Sequence, residues 1–292
     1  MNLGIRLIFI IMEIYSIETG NLKLDGGAMF GVVPKVMWQK LYPADENNLC
    51  NWAMRCMLIV DSERKILIDT GMGTKQDEKF LKHYYLNGKD TLEKSLQKLG
   101  YSTDDVTDVL LTHLHFDHVG GAVKYNEKSE LVPTFANAKY HTSKQQWEWA
   151  TNPNRRERAS FLKENILPLQ EHKVLHLFEN EHELFPNVQV KLYNGHTAGQ
   201  VIPIVNVNGQ NFAYTADLFP SVAHLPLPYI MSYDTQPLVT LEDRKRFFKD
   251  AMENNYILFF EHDLYNECCS LHETEKGIRA KETFSLNEFF KR

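Results

Sequence analysis

Cysteine is scarce in this chain, and the little present has neither a metal-clip nor a redox spacing. The four are Cys50, Cys56, Cys268 and Cys269. None is two residues from another, and adjacent Cys268 and Cys269 do not easily close a relaxed disulfide. That pattern fits buried thiols in a reducing compartment, so the chain reads as cytoplasmic, with export as the alternative. Long apolar runs are also missing. The run at 7–12 is too short to cross a bilayer, and Glu13 and Tyr15 follow it where a small-residue cleavage site would stand. Residues 1–12 therefore read as an N-terminal extension or start-site artefact, and 13–292 as one domain. A basic excess is absent: 38 acidic against 32 basic residues leave a net charge of −6. Nucleic-acid binding needs a concentrated basic face. The short cluster Arg155-Arg156-Glu157-Arg158 contains an acid and reads as a solvated helix face. Neither nucleic acid nor membrane is an expected partner. No G-x-S-x-G elbow occurs, which argues against serine hydrolysis.

What is present is enough apolar sequence, 43% of residues, for a real core. Runs rich in Ile, Leu, Val, Tyr and Phe predict strands at 57–60, 65–68, 109–111, 188–193, 201–207, 212–215 and 256–260. Helical patterns fall at 90–99, 144–149, 155–165, 241–254 and 273–290. This interleaving suggests sheets covered by helices. Five of the strands stop at polar groups: Asp69, the run beginning at His113, His196, Asp217 and His262. If the strand ends share a sheet edge, these residues converge there.

The densest signal is Thr112-His113-Leu114-His115-Phe116-Asp117-His118. In an extended segment His113, His115 and Asp117 point to one side, and His118 breaks the alternation. Imidazole nitrogens and carboxylate oxygens are ligands for zinc and similar divalent ions. Gly120-Gly121 then lets the backbone turn sharply.

This segment resembles the HxHxDH signature of the metallo-β-lactamase fold superfamily, and the likeness runs from about Glu13 to about His262. Asp69-Thr70-Gly71, Gly195-His196-Thr197, Thr215-Ala216-Asp217 and Glu261-His262-Asp263 resemble its other motifs in order and spacing. The resemblance implies an αββα sandwich of two mixed sheets flanked by helices. It implies a first metal on His113, His115 and His196, and a second on Asp117, His118 and His262. Asp217 would bridge the two, and Asp69 would orient ligands from behind. The implied cofactor is two divalent ions, zinc first, with Mn, Fe or Co compatible. The implied chemistry is hydrolysis by a hydroxide shared between them, with Asp117 also handling protons.

Within the superfamily the spacing resembles the N-acyl homoserine lactonase and methyl parathion hydrolase branch. The implied substrates are small lactones or esters, with phosphotriesters as a side activity. One departure is Pro220, three residues past Asp217, where the lactonases carry a Tyr. His224, Tyr229 or Tyr233 would have to replace its donor. Phe30, Trp38, Phe219, His224 and Tyr229 are the expected substrate-binding residues. A homodimer is compatible with exposed aromatic loops. The alternatives are a glyoxalase-II-like thioesterase, with Arg279, Lys281, Lys291 and Arg292 for glutathione carboxylates, and a non-catalytic metal-binding scaffold. A nuclease and a flavodiiron protein fit less well: the chain is acidic, and no flavodoxin-like segment follows.

Overall fold

The computed structural model describes residues 12–291, so the expectation for 1–11 lies outside the described residues. Met12 is buried beside Ile14 in the core. From the N-terminal side come β1 (Glu13–Asp25), β2 (Leu49–Val60), β3 (Lys65–Ile68), β4 (Asp108–Leu110), β5 (Val123–Tyr125), β6 (Leu131–Pro133), β7 (Lys139–Ser143) and β8 (Leu175–Phe178). Six of them form one sheet, ordered β1-β2-β3-β4-β7-β8, and β5-β6 make a small separate ribbon. Then follow β9 (His182–Phe185), β10 (Val188–Tyr193), β11 (Gln200–Val207), β12 (Gln210–Tyr214), β13 (Ile257–Phe259), β14 (Cys268–Thr274) and β15 (Gly277–Phe284). They form the second sheet, ordered β15-β14-β13-β12-β11-β10-β9. Each sheet is mixed: β3-β4, β4-β7, β7-β8 and β12-β13 are parallel, and the rest antiparallel.

The two-residue period of a strand explains why both faces of the first sheet are apolar. Met57, Ile59, Ile66, Ile68 and Leu110 point inward, against Val190, Val201, Val205 and Phe212 of the second sheet. Their neighbours Cys56, Leu58, Leu67, Val109 and Leu111 point outward, against Leu92 and Leu96 of helix Leu92–Lys98 and Ile166 and Leu169 of helix Lys163–Glu171. The long helix Pro237–Glu253 brings Phe247, Phe248 and Ala251 to the inner cluster. This is the αββα sandwich.

Two helical expectations are corrected. Of residues 273–290, those up to Phe284 belong to the hairpin β14-β15, turning at Gly277 with φ +88°, and only Leu286–Phe289 is helical. Glu and Lys favour helix locally, but strand pairing overrides that propensity at a sheet edge. Residues 155–160 are a turn followed by a short 3₁₀ turn, Arg158–Ser160, and only 163–165 of the expected span are α-helical, as the start of helix Lys163–Glu171. Asn154 Oδ1 accepts from the Arg156 and Glu157 amides and holds that turn. Glu157 is buried at 4% exposure, so this run is not a solvated helix face.

Candidate metal centre

The polar strand ends do converge, and they come from both sheets rather than from one. The ends of β3 and β4 supply Asp69 and the His-rich run from the first sheet. The ends of β10, β12 and β13 supply His196, Asp217 and His262 from the second. Alternation in the His-rich run also stops earlier than the spacing suggests. His113 and His115 lie on extended chain, whereas Asp117 and His118 lie on the helical turn Phe116–Val119. That turn passes so close to its neighbour that a Cβ on Gly120 would stand 2.0 Å from the Met72 carbonyl oxygen. Ala216, at φ +41°, holds a strained bend that presents Asp217.

His113, His115, His196 and Asp217 bring ligand atoms within 4.8 Å of one another, and so do Asp117, His118 and His262. Asp217 faces both groups. Its Oδ2 lies 3.0 Å from His196 Nε2 and 3.7 Å from His113 Nε2. Its Oδ1 lies 2.9 Å from His262 Nε2 and 3.6 Å from His118 Nε2. Asp117 Oδ2 is 3.9 Å from His118 Nε2 and 4.0 Å from His262 Nε2. Imidazole nitrogens also face each other, His196 Nε2 and His115 Nδ1 at 3.2 Å and His262 Nε2 and His118 Nε2 at 3.2 Å. His113 Nε2 is buried without a hydrogen-bond partner among the described residues. Nitrogen lone pairs directed at one another, and one left orphaned, fit divalent cations better than a hydrogen-bonded core.

The far side of each imidazole is fixed, as ligand histidines require. Asp234 accepts from His196 Nδ1 at 2.8 Å, and the Ala53 carbonyl accepts from His262 Nδ1 at 2.8 Å. His118 Nδ1 meets Asp69 Oδ2 at 3.1 Å and Glu261 Oε2 at 2.9 Å. Thr112 donates to Asp69 from its amide (2.8 Å) and hydroxyl (2.6 Å). Asp69 thus stands behind the ligands, itself held at φ +58°. Glu157 Oε1 lies 2.9 Å from His115 Nε2, while Trp149 Nε1 donates to its other oxygen at 2.6 Å.

Charge follows this geometry. Burial and the imidazoles of His118 and His115 hold His113 well below its ordinary value. Burial disfavours charge on His196 as well, yet Asp217 and Asp234 raise it to about 10. Burial opposes ionisation of Asp217, but His196, His118 and His262 hold its carboxyl well below the usual range. Burial likewise opposes Glu157, and its hydrogen bond from His115 outweighs that, bringing it to about 2.

A cavity of about 420 Å³ opens on this cluster, with His115, Asp117, Asp217 and His262 at its floor and Leu24, Met29, Tyr84, Phe116, Arg156, Met231 and Tyr233 among its walls. None of the five expected substrate-binding residues is among its lining residues. Phe30 is fully buried, stacked on Trp38 at 4.9 Å and on His224 at 4.5 Å. His224 Nε2 is committed to the Met29 carbonyl at 2.9 Å. Phe219 packs on Phe247 and Phe248, and the Tyr229 ring meets Phe30 edge-on. Phe30, Trp38 and Tyr229 pack in the cluster that also holds the lining residues Met29, Phe116 and Met231, whereas Phe219 belongs to the core between the sheets. Asp234 and Tyr84 are isolated in sequence and carry no spacing signal; Glu157 stands in a run that reads as solvated, and Glu261 in a motif whose signal is its neighbour His262.

Fold and site together define a metal-dependent hydrolase. The family model of the metallo-β-lactamase superfamily matches residues 55–257. An N-acyl homoserine lactonase from Bacillus cereus is 26% identical over 92% of this chain and 97% of its own length. AiiA, an N-acyl homoserine lactonase of Bacillus thuringiensis subsp. kurstaki, is 25% identical over 88% of this chain and 95% of its own. Among solved structures, a probable metal-dependent hydrolase from Staphylococcus aureus superposes with a TM-score of 0.84 at 28% identity, covering 94% of this chain and 98% of that one. AidC, a dizinc quorum-quenching lactonase, shares the fold at TM-score 0.77 and 23% identity, covering 94% and 95%. The chain belongs to the metallo-β-lactamase superfamily.

Proposed function

We propose that this chain is a dinuclear metal-dependent hydrolase of small lactones or esters, with phosphotriesters as a side activity. The observation that carries the reading is Asp217, whose two oxygens face two separate imidazole groups. His113, His115 and His196 would hold one cation, Asp117, His118 and His262 the other, and Asp217 both. Zinc is the first choice, with Mn, Fe and Co compatible with the same donors. When bound, the cations supply Lewis acidity and acidify water.

The chain's own residues do the rest. Asp117 borders the cavity and is placed to accept the proton released as water attacks, then return it to the leaving alkoxide. Leu24, Met29, Phe116 and Met231 offer an acyl group an apolar wall. Lactone hydrolysis is also the activity the N-acyl homoserine lactonase relatives are named for, and it comes to this chain, with its extension to esters, as part of the proposal. The glutathione reading has less support: Arg279 and Lys281 lie on the edge strand β15, and neither they nor Lys291 lines the cavity. The same reading takes 13–292 as one cytoplasmic hydrolase unit. It allows a homodimer through exposed Val32, Val36, Met37 and Leu41, which sedimentation would test. Among the described residues, no helix is long and apolar enough to cross a membrane.

The test is metal analysis of purified, metal-repleted protein, then turnover on lactone, ester, phosphotriester, thioester and β-lactam panels with and without chelator. Two metals per chain and chelator-sensitive lactone or ester cleavage are expected. Fewer than one metal per chain, or cleavage of thioesters alone, would refute the reading.

A further inference from the structure

Hydrolysis of a carbonyl ester needs a donor aimed at the oxygen that gains charge. Of the three donors weighed from the sequence, His224 is spent on the Met29 carbonyl and Tyr229 lies off the cavity. Tyr233 reaches it. We propose that the Tyr233 hydroxyl donates a hydrogen bond to the substrate carbonyl oxygen as negative charge develops there.

Tyr233 sits in a segment pinned to the metal centre. Its neighbour Asp234 holds His196 Nδ1, and Thr235 donates to the His196 carbonyl from its amide and its hydroxyl, both at 3.0 Å. On the other side, the Ser232 amide donates to the Ala28 carbonyl at 2.8 Å, and Arg156 donates to the Ser232 carbonyl. The side chain between these anchors lines the cavity, and among the described residues its hydroxyl makes no hydrogen bond. Two fully buried phenols are committed, Tyr42 to the Asn51 carbonyl and Tyr214 to the Arg55 carbonyl, each at 2.9 Å, whereas Tyr233 is 40% exposed at the cavity. Burial raises the Tyr233 phenol, and so does the charge of both Asp117 and Asp217, so it stays a neutral donor. Tyr84, the other phenol on the wall, is wedged against Phe80 and Phe116 and senses Asp117 without Asp217.

This inference rests on the hydrolase reading. In the step it serves, water oxygen bonds to the carbonyl carbon and the carbonyl π pair moves onto oxygen, where the phenol O–H meets it. The pair returns as the ring or ester C–O bond breaks, and the water proton ends on the leaving alkoxide. Tyr233 keeps its own proton throughout.

The test compares the holoenzyme with Tyr233→Phe and Tyr84→Phe on the fastest substrate of the panel, with metal content measured for each. Affinity for a phosphonate analogue of the tetrahedral species is a second readout. Tyr233→Phe should keep its metal and hold KM within about threefold, while kcat falls about a hundredfold, the effect of removing one such donor. Phosphonate affinity should fall in parallel. The proposal is overturned if kcat stays within about threefold, if only KM moves, if metal is lost, or if Tyr84→Phe costs more. A wild-type enzyme cleaving no lactone or ester would instead refute the hydrolase reading itself.

Discussion

Glu157 is the residue whose removal most directly tests the ligand-support network. Its carboxylate receives His115 Nε2 at 2.9 Å, Trp149 Nε1 at 2.6 Å and Asn154 Nδ2 at 3.2 Å, with the residue 4% exposed. In Glu157→Gln one side-chain oxygen survives and the other becomes an NH₂. Either His115 or Trp149 then faces a donor instead of an acceptor. Losing one buried, charge-assisted hydrogen bond costs about 1.5–3 kcal/mol. Losing the orienting partner of a ligand histidine costs about 10–100-fold in metal affinity, or about 1.4–2.7 kcal/mol. The two effects separate by assay. Denaturant unfolding of metal-free protein reads the first, and competition titration against a chromophoric chelator reads the second. The loss should fall on one metal equivalent, because His115 belongs to the group with His113 and His196. Metal affinity within twofold of wild type at both equivalents would refute the idea that Glu157 orients a ligand.

Arg244 is fully buried and donates to the carbonyls of Leu218 (2.9 Å), His224 (3.2 Å) and Tyr229 (2.8 Å), so Arg244→Ala should cost about 3–5 kcal/mol in denaturant unfolding. Burial lowers Lys75 to about 8, so its charged form is disfavoured in the fold. The folded state then holds fewer protons than the unfolded chain between pH 8 and about 10.5. Wild type should therefore gain on Lys75→Met as pH rises through that window, by at most about 3 kcal/mol in paired urea melts. A flat difference would contradict the burial argument. Gly120→Ala places a Cβ against the Met72 carbonyl and should lower both melting temperature and metal content, because the clash sits on the turn bearing Asp117 and His118. Unchanged values would show that the turn yields.

Much of this protein was legible in one dimension. His113, His115, Asp117 and His118 cluster within six residues, and His196, Asp217 and His262 each follow an apolar run, but it was the resemblance to the superfamily that joined them into one candidate ligand set. Strands β3, β10 and β11 were readable because their apolar runs are short and sharply bounded. The hairpin at 268–284 was not, since Glu and Lys have helical propensity and only pairing with a neighbouring strand decides otherwise.

The supports of the site were illegible for a related reason. Glu157 meets His115, and Asp234 meets His196, across separations of 42 and 38 residues. No local pattern encodes such partners. The same holds for the cavity wall, where Tyr233 was one of three candidate donors until burial and packing removed His224 and Tyr229. By itself, the sequence brought forward the candidate ligand atoms, because donor chemistry resides in residue type and the order of the motifs resembles that of the superfamily. Only the tertiary structure decided which groups orient those atoms and what lines the cavity above them, because burial and distant contacts arise when the two sheets close on each other.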